Sequence, residues 1–399
     1  MNVQDHPLRN CPVCGSVRPQ VLFEQRFAAM SEGSLHEGYD VTICRACGCA
    51  YADRIPDQAA FNRHYREMSK YEDQAEGSRQ TQYDLDRFAG IADRLADLIP
   101  KRDPQVLDIG CSTGGLLSAL QERGFNRLTG FDPSPACGRS ARQLYGIEVH
   151  SDFADVPRNC GVVMAIGVLE HIRDAAKAIQ GWKDLLSDNG SLYIEVPDSS
   201  EFARWPDAPY QQFSVEHINF FSPQSLNNIL AANGFVPEYQ HRYAHLIDYG
   251  TMFPVVAGLY RPSSTPPAIS FDGETEPRLL AYIEQSRAVE AEIEHQIDEI
   301  VASDHPVFVW GVGTHTTRLL TTTSLGHANI RGFVDSNPKY QGKSLSGRPI
   351  LPPSALASDS APILISSRVF QENICAQIRE TMKLPNRLIR LYNLPLQPA

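Results

Sequence analysis

The sequence has no apolar run that approaches the ~18 residues a helix needs to cross a bilayer. Its N-terminus, MNVQDHPLRNCPVCG, lacks the basic and then apolar order of a secretory signal. Internal repeats and low-complexity tracts are missing as well. We therefore expect a cytoplasmic protein with reduced cysteines and no membrane partner.

An excess of basic residues is also missing. Lys and Arg number 36 against 47 Asp and Glu, which gives a formal charge of −11. An enzyme that acts on nucleic acid usually carries a basic footprint, because neutralising phosphates drives its binding. The composition therefore favours a small-molecule substrate over a nucleic acid. With 42% hydrophobic residues in 399, the chain can bury sizeable cores, and two or three domains are expected.

The nine cysteines include two matching CxxCG knuckles, Cys11 with Cys14 and Cys44 with Cys47. Each knuckle presents two thiolates from a tight turn. Four thiolates suit tetrahedral Zn²⁺ and leave no open position for chemistry, so we expect the zinc to be structural. Free thiols or disulfides are the alternative reading. Cys49, next to the second knuckle, is interpreted as a bystander.

The chain divides by pattern into a zinc-binding domain (1–60), a middle domain with a helical lead-in (61–260), a proline-rich linker (261–277) and a last domain (278–399). In the middle domain, helical spacing is followed by apolar runs that alternate with helical stretches, which predicts a parallel sheet covered by helices. The runs lie at 106–110, 128–132, 162–167 and 191–196. The last domain begins with a predicted helix over 278–302 and continues with strand patterns, as in a second, smaller α/β domain.

The segment VLDIGCSTGGLL (106–117) places a predicted buried strand before a glycine turn and a helix. Glycines let the chain approach a ligand closely, and a helix N-terminus presents free amides. The pattern differs from the GxGxxG of dinucleotide enzymes and resembles the first motif of class I methyltransferases, which bind S-adenosylmethionine (SAM). The resemblance implies cofactor contacts from Asp108, Gly110, Cys111, Ser112 and Gly114.

The resemblance continues in order and spacing over about residues 104–240. Asp132 ends the second predicted strand, where an acidic residue accepts hydrogen bonds from both ribose hydroxyls. The segments HSDFADVP and MAIGVLEHIRD supply the other expected contacts: Asp152 to the adenine amino group, Phe153 to the face of the ring, and Ile166 and Gly167 over the cofactor.

The chain as a whole resembles the sugar C-methyltransferases of deoxysugar pathways. These enzymes join an N-terminal zinc-binding domain, a central Rossmann-like SAM domain and a C-terminal Rossmann-like domain. The paired knuckles match, as do VWGVGTHTTRLL and GFVDSNPKYQGKSLSGRPILPPSAL in the last domain. The resemblance implies an α/β fold, no catalytic metal, and methyl transfer to carbon 3 of a nucleotide-linked 4-keto-6-deoxysugar whose nucleotide lies against the terminal domains.

Carbon methylation needs a base that removes the proton next to the ketone, and a group that stabilises the enolate. Glu216 and His217 in FSVEHINFFS match the family's Glu-His pair, and His217 is the predicted base. His171 in LEHIRD matches a second active-site histidine. Tyr65 and Tyr71 both stand where the family carries a substrate-facing tyrosine, and the sequence does not choose between them.

One position departs from the family pattern, because Ser214 stands where the family has a tyrosine two residues before the glutamate. LEHI and EHxxxFS also occur in methyltransferases that act on oxygen. An O-methyltransferase acting on a sugar or another small-molecule hydroxyl is therefore the alternative. A zinc-ribbon RNA methyltransferase would combine similar parts but should show basic patches and stacking aromatics.

The glycine turn Gly311-Val-Gly313 with Asp335 imitates half a dinucleotide site in the last domain. A GxG without the third glycine is a weak signal, and the needs of folding alone would explain it.

Overall fold

The structure is a computed structural model and describes residues 3, 6–32, 34–68, 80–205, 207–248 and 251–392. Within these residues the chain forms three β-sheets, each with helices packed against it or beside it. None of the helices in the described part has the length and apolar character needed to cross a membrane. The architecture is mixed α/β.

The N-terminal sheet begins with three antiparallel strands, β1 (Pro19–Arg26), β2 (Gly38–Cys44) and β3 (Ala50–Asp53). Every residue of β2 and β3 is buried. The first cysteine knuckle precedes β1, and the second forms the turn between β2 and β3. At Gly48 in this turn, φ is +77°, and an added Cβ would lie only 2.0 Å from the carbonyl oxygen of Asp272. The turn therefore packs closely on a segment far along the chain.

Two helices follow, α1 (Gln58–Met68) and α2 (Gln82–Leu98). Thr81 caps α2, since its side chain accepts a hydrogen bond from the backbone amide of Asp84. The buried side of α2 contains Ile91, Ala92 and Leu95, whereas Leu85 is 46% exposed. Tyr71 lies outside the described residues.

Strands and helices alternate from residue 106 to residue 248, as the sequence pattern predicted, and one further strand then follows directly. The strands are β4 (Val106–Ile109), β5 (Leu128–Phe131), β6 (Glu148–His150), β7 (Cys160–Ile166), β8 (Leu186–Pro197), β9 (Asn219–Phe220), β10 (Phe235–Asp248) and β11 (Thr251–Pro262). The helices are α3 (Gly115–Glu122), α4 (Pro135–Tyr145), α5 (Ala175–Lys183) and α6 (Pro223–Ala232), with short 3-10 helices at Phe153–Asp155, Leu169–His171 and Ser199–Arg204.

The described strands of the central sheet lie in the order β10-β11-β8-β7-β4-β5-β6. Strands β8, β7, β4, β5 and β6 run parallel. The four predicted strands correspond to β4, β5, β7 and β8, so the predicted parallel sheet is confirmed. Strand β11 pairs antiparallel with β8, and β10 pairs antiparallel with β11. Its two long strands were not separated by the sequence pattern.

Strand β9 belongs to a different sheet from its neighbours in sequence. It pairs antiparallel with β3 through Ala50 opposite Phe220 and Tyr51 opposite Asn219. The described N-terminal sheet thus has the order β1-β2-β3-β9. A segment of the middle block therefore completes the sheet that carries the cysteine knuckles.

A segment predicted as a linker joins β11 to the long helix α7 (Thr275–Ser303). The backbone amide of Asp272 donates to the carbonyl of Cys47 at 2.9 Å, and its buried carboxylate accepts from Ser222 Oγ at 2.5 Å. In α7, which begins three residues before the predicted helix, Leu279 is buried and Leu280 is 45% exposed. Through Asp272, the predicted linker thus packs on two other parts of the chain. The division of the chain into domains stays a prediction.

The last sheet has the order β14-β15-β13-β12-β16-β17 in the described residues, and only β14 and β15 pair antiparallel. Its strands are β12 (Val307–Trp310), β13 (Ile330–Val334), β14 (Ser344–Leu345), β15 (Arg348–Leu351), β16 (Ile363–Ile365) and β17 (Leu388–Arg390). The helices are α8 (Thr314–Thr322) and α9 (Gln371–Ala376), with 3-10 turns at Ser324–His327 and Pro353–Ser358 and a π-turn at Gln377–Thr381.

Candidate active site

The four knuckle cysteines come together in one cluster. The Sγ atoms of Cys11 and Cys47 are 3.6 Å apart, as are those of Cys14 and Cys44, and all four lie within 4.8 Å of one another. Four sulfurs at about 2.3 Å from a zinc ion would lie about 3.8 Å apart, so the cluster fits this metal. Cys49 is outside the group of four, and its thiol donates to the carbonyl of Ala50.

The glycine turn lies at the carboxyl end of β4, where ligands bind in open α/β sheets. Gly110 and Gly114 have φ of +73° and +81°, and Ser112 between them has φ of +50°. An added Cβ on Gly110 would lie 2.6 Å from Cγ2 of Val168. The turn therefore needs glycine at this position, both for its backbone conformation and for its contact with the segment after β7. The buried Cys111 contacts the neighbouring strand, since an added Cβ on Gly130 would lie 2.4 Å from its sulfur.

Asp132 follows β5 and joins the glycine turn to the start of α4. Its carboxylate accepts hydrogen bonds from the backbone amides of Ser112 at 3.0 Å and Ser134 at 2.9 Å. A carboxylate has about four acceptor sites, so bonds from backbone amides and bonds from ligand hydroxyls are compatible on one side chain. Asp108 lies one strand away and is 4% exposed; burial, with Asp132 nearby, raises the pKa of its carboxyl well above the usual range.

The other predicted cofactor residues surround the same sheet edge. Asp152 accepts from the backbone amide of Ala154, and the ring of Phe153 is 38% exposed and meets Phe131 edge-on at 5.3 Å. Ile166 ends β7. Gly167 follows with φ of +67°, and an added Cβ would meet no atom closer than Glu170 Oε1 at 3.7 Å. A glycine turn, an acidic side chain after the second strand and an accessible aromatic ring together fit a nucleoside-bearing cofactor such as SAM.

Two predicted catalytic histidines lie side by side next to this edge. The rings of His171 and His217 meet edge-to-face with centroids 4.8 Å apart. His171 bonds through Nδ1 to the carbonyl of Glu216 at 3.0 Å, and its Nε2 lies 3.8 Å from Glu170 Oε1. Only three residues separate Gly167 from His171. The pair therefore stands close to the proposed cofactor position.

Glu170 was not singled out from the sequence. It is 2% exposed, its Oε2 has no hydrogen-bond partner among the described residues, and burial raises the pKa of its carboxyl. The ligand atoms of Glu170, His171 and His217 lie within 4.8 Å of one another, a spacing that could serve proton transfer or hold a cation. Its place in LEHI, directly before a predicted active-site histidine, is a signal that could have identified it.

Helix α1 brings two further side chains to the pair. The ring of Tyr65 meets His171 edge-on at 5.7 Å. Its neighbour His64, which no sequence motif marks, has Nε2 3.9 Å from Glu216 Oε1. Tyr65, His171, Glu216 and His217 thus form one group in the structure, whereas Tyr71 cannot be placed because it lies outside the described residues.

A buried charged group under α2 was also missed. Glu195 near the end of β8 is 1% exposed and accepts from Tyr243 Oη at 2.6 Å and from Arg87 at 3.4 Å. Its carbonyl accepts from the amide of Gly167 at 2.9 Å. An acidic residue near the carboxyl end of a predicted buried strand was the available signal.

The glycine turn of the last domain repeats one feature of the first. The backbone amide of Val312 donates to Asp335 Oδ2 at 3.1 Å, as Ser112 does to Asp132. Gly311 has φ of +105°. The interpretation that this glycine turn serves only the folding of the chain stays a prediction.

Comparison with known proteins identifies the central region. Residues 78–240 match the family model described as a methyltransferase domain, and residues 303–389 match one described as C2185-like, N-terminal. Trans-aconitate 2-methyltransferase of Streptomyces coelicolor is 31% identical over 28% of this chain and 40% of that protein. Residues 78–240 therefore form a SAM-dependent methyltransferase domain. This enzyme domain contains the glycine turn, Asp132, His171 and His217.

Other relatives differ in their substrates. A ubiquinone biosynthesis O-methyltransferase of Xylella fastidiosa is 29% identical over 26% of this chain and 46% of that protein. A tRNA U34 carboxymethyltransferase of Tolumonas auensis is 30% identical over 35% of this chain and 47% of that protein. A solved 1,6-didemethyltoxoflavin-N1-methyltransferase of Burkholderia thailandensis is 17% identical, with 56% of this chain and 98% of that one covered and a TM-score of 0.40. The chain spans less than half the length of the three curated relatives named above, from Streptomyces coelicolor, Xylella fastidiosa and Tolumonas auensis.

Proposed function

We propose that this protein transfers the methyl group of SAM to a small molecule, and that the acceptor is carbon 3 of a nucleotide-linked 4-keto-deoxysugar. The observation that carries the proposal is the pairing of His171 and His217, 4.8 Å apart, beside the cofactor edge of the sheet. We further propose that the Cys11, Cys14, Cys44 and Cys47 cluster holds a structural zinc ion.

In this proposal, SAM supplies an electrophilic methyl group when it is bound. Asp132 binds the ribose, and Phe153 covers the adenine ring. His217 takes the proton from carbon 3, and the electron pair of the C–H bond moves into the ketone to form an enolate. Imidazole suits this step because it exchanges protons near neutral pH.

The neighbours of His217 support this role. The backbone amide of His217 donates to Ser214 Oγ at 3.1 Å, and the amide of Ile218 donates to the carbonyl of Glu170 at 2.9 Å. These bonds hold the residue on both sides of its Cα. The family pattern has a tyrosine at the position of Ser214. We propose that the hydroxyl of Tyr65 stabilises the enolate instead.

A second candidate is methylation of a hydroxyl. Two observations favour it: Ser214 lacks the phenol that the C-methyltransferase pattern carries, and a relative is named as a ubiquinone biosynthesis O-methyltransferase. An O-methyltransferase needs a base for an O–H proton and has no use for breaking a C–H bond. The two candidates therefore differ in the fate of the C3 proton.

The decisive experiment incubates the protein with a nucleotide 4-ketosugar in heavy water. With S-adenosylhomocysteine bound, the carbon proposal predicts exchange of the C3 proton for deuterium, seen by NMR. With SAM, it predicts a new methyl signal on carbon 3.

His217→Ala should lower both exchange and methyl transfer by about 10²–10⁴-fold, as expected for a removed general base. His295→Ala is a matched control, because that imidazole is 81% exposed on α7. Methylation of the sugar without C3 exchange, in a product that keeps its C3 proton, would replace the carbon proposal by the oxygen one.

A further inference from the structure

The segment Phe213–His217, which we call the catalytic segment, lies in a loop without strand or helix structure. Backbone groups in such a loop have no regular hydrogen-bonding ladder to hold them. Nevertheless, the carbonyls of four successive residues in it each accept a side-chain hydrogen bond. This density of bonds around one short loop needs an explanation.

Three of the four donors come from the N-terminal sheet and its connecting loop. Gln25 Nε2 donates to the carbonyl of Phe213 at 2.8 Å, and Tyr39 Oη donates to the carbonyl of Ser214 at 2.9 Å. His36 Nε2 donates to the carbonyl of Val215 at 2.7 Å. The fourth carbonyl, that of Glu216, accepts from His171 Nδ1. Tyr39 and Gln25 are fully buried, and His36 is 7% exposed. The N-terminal sheet therefore contacts the catalytic segment residue by residue.

The two hydrogen bonds of the His36 ring determine which of its nitrogens carries the proton. Its Nδ1 accepts from the backbone amide of Gly38 at 3.3 Å, so the proton lies on Nε2, which donates to Val215. Rings of Phe27, Tyr39 and Phe61 surround the imidazole. The side chain is thus held as a neutral donor in one orientation.

The last domain reaches the same segment. Thr314 Oγ1, at the start of α8, accepts from the backbone amide of Val215 at 3.4 Å. Arg318 on α8 donates from Nε to Gln25 Oε1 at 3.1 Å and forms a buried ion pair with Glu290 of α7. Gln25 is therefore held by Arg318 while it holds Phe213.

We propose that the N-terminal sheet is a positioning element of the active site, in which Gln25, His36 and Tyr39 fix the backbone that presents Glu216 and His217. This inference rests on the catalytic role proposed for His217. Because the three donors bind consecutive carbonyls, the segment cannot shift by a fraction of an ångström without lengthening several short bonds. A small misplacement of a catalytic group lowers the rate of a reaction more than it lowers the affinity for substrate.

Tyr39→Phe tests the proposal because it removes a single hydroxyl and keeps the buried ring. We expect kcat for methyl transfer to fall about three- to tenfold, the effect of one lost hydrogen bond, with KM and the Kd for SAM changed less than about twofold. Amide hydrogen exchange in the peptide that covers residues 214–218 should become faster by a similar factor. His36→Phe should behave like Tyr39→Phe, whereas His36→Gln, which keeps a donor, should recover part of the rate.

Tyr51→Phe is the matched control. Tyr51 lies on β3 of the same sheet and is fully buried, but its hydroxyl points to the carbonyl of Arg9 at 3.5 Å instead of the catalytic segment. Equal losses in the two variants, or faster exchange in Tyr39→Phe with unchanged kcat, would overturn the proposal. The exchange measurement needs no acceptor molecule. If no ketosugar is methylated, the proposed function fails, while unchanged exchange in Tyr39→Phe would still refute the positioning role.

Discussion

The carboxylate of Asp132 accepts a 3.0 Å hydrogen bond from the backbone amide of Ser112, a residue with φ of +50°. Left-handed backbone is uncommon for any residue other than glycine, and here the bond from the next strand helps to hold it. Asp132 therefore has two tasks in the proposed cofactor site. It shapes the turn after β4, and we propose that its carboxylate also accepts from the ribose hydroxyls.

Asp132→Ala should weaken SAM binding by about 2–4 kcal/mol, because it removes a charged acceptor of two ligand hydrogen bonds and loosens the turn. Asp132→Asn keeps one acceptor oxygen and should lose less. Calorimetric titration with SAM measures both, and the thermal midpoint checks that the variants are folded. Unchanged affinity in the alanine variant would place the ribose contact on another residue.

Gly110→Ala should reduce both stability and SAM binding. The new Cβ would lie 2.6 Å from Val168, and the backbone has φ of +73°, so strain and a clash add up to about 1–3 kcal/mol. Gly146→Ala is the control, because its φ of +69° is similar but no atom lies within 4 Å of the added Cβ. We expect Gly146→Ala to lower the thermal midpoint slightly and to leave the SAM affinity unchanged. Equal effects of the two variants would contradict the role of the Val168 contact.

The cysteine cluster predicts about one zinc ion per chain by elemental analysis. Cys44→Ser should remove the metal and destabilise the N-terminal sheet, since Cys44 is the last residue of β2. Cys49→Ala should keep the metal, because its thiol bonds to Ala50 and is outside the cluster. A folded protein without zinc and with four titratable knuckle thiols would refute the site.

Sequence patterns predicted the features that short stretches of chain determine. The apolar runs of β4, β5, β7 and β8, the two CxxCG knuckles and the glycine turn are all visible within a dozen residues. Features set by distant contacts were not predicted. Asp272 lies in a segment with the composition of a linker, yet it binds Cys47, and only the folded chain shows why it is buried.

The residues of the candidate active site show the same difference between local motifs and distant contacts. His171 and His217 stand in recognisable motifs, whereas His64 lies on an ordinary amphipathic helix with nothing local to mark it. Glu195 is one acidic residue in the apolar run 191–196, and its partners Arg87 and Tyr243 are 108 and 48 residues away. No spacing rule connects such positions, because their proximity depends on the packing of α2 over the sheet.

Acid should destabilise the fold through buried neutral histidines. Burial lowers the pKa of His36 to about 4 and the pKa values of His245 and His315 to about 3. Below pH 6.5 the unfolded chain binds these protons while the folded chain does not, so stability falls with pH from 6.5 to about 4 for His36. This group alone accounts for about 3 kcal/mol.

His36→Gln should therefore weaken the dependence of the thermal midpoint on pH between 6.5 and 4. His295→Gln, at an exposed position, is the control and should leave the slope unchanged. A slope that is the same in His36→Gln and in the wild-type protein would show that the burial of His36 does not contribute to acid sensitivity.

The pairing of β9 with β3 has a consequence for how the protein is made. Ala50 emerges from the ribosome about 170 residues before its partner Phe220. At 5–20 residues per second, the nascent N-terminal sheet waits roughly ten to thirty seconds for its last strand. During that interval the edge of β3 is open to other chains, and such an edge is a site for aggregation. Metal capture by the two knuckles, both of which emerge early, would hold the unfinished sheet together while translation continues.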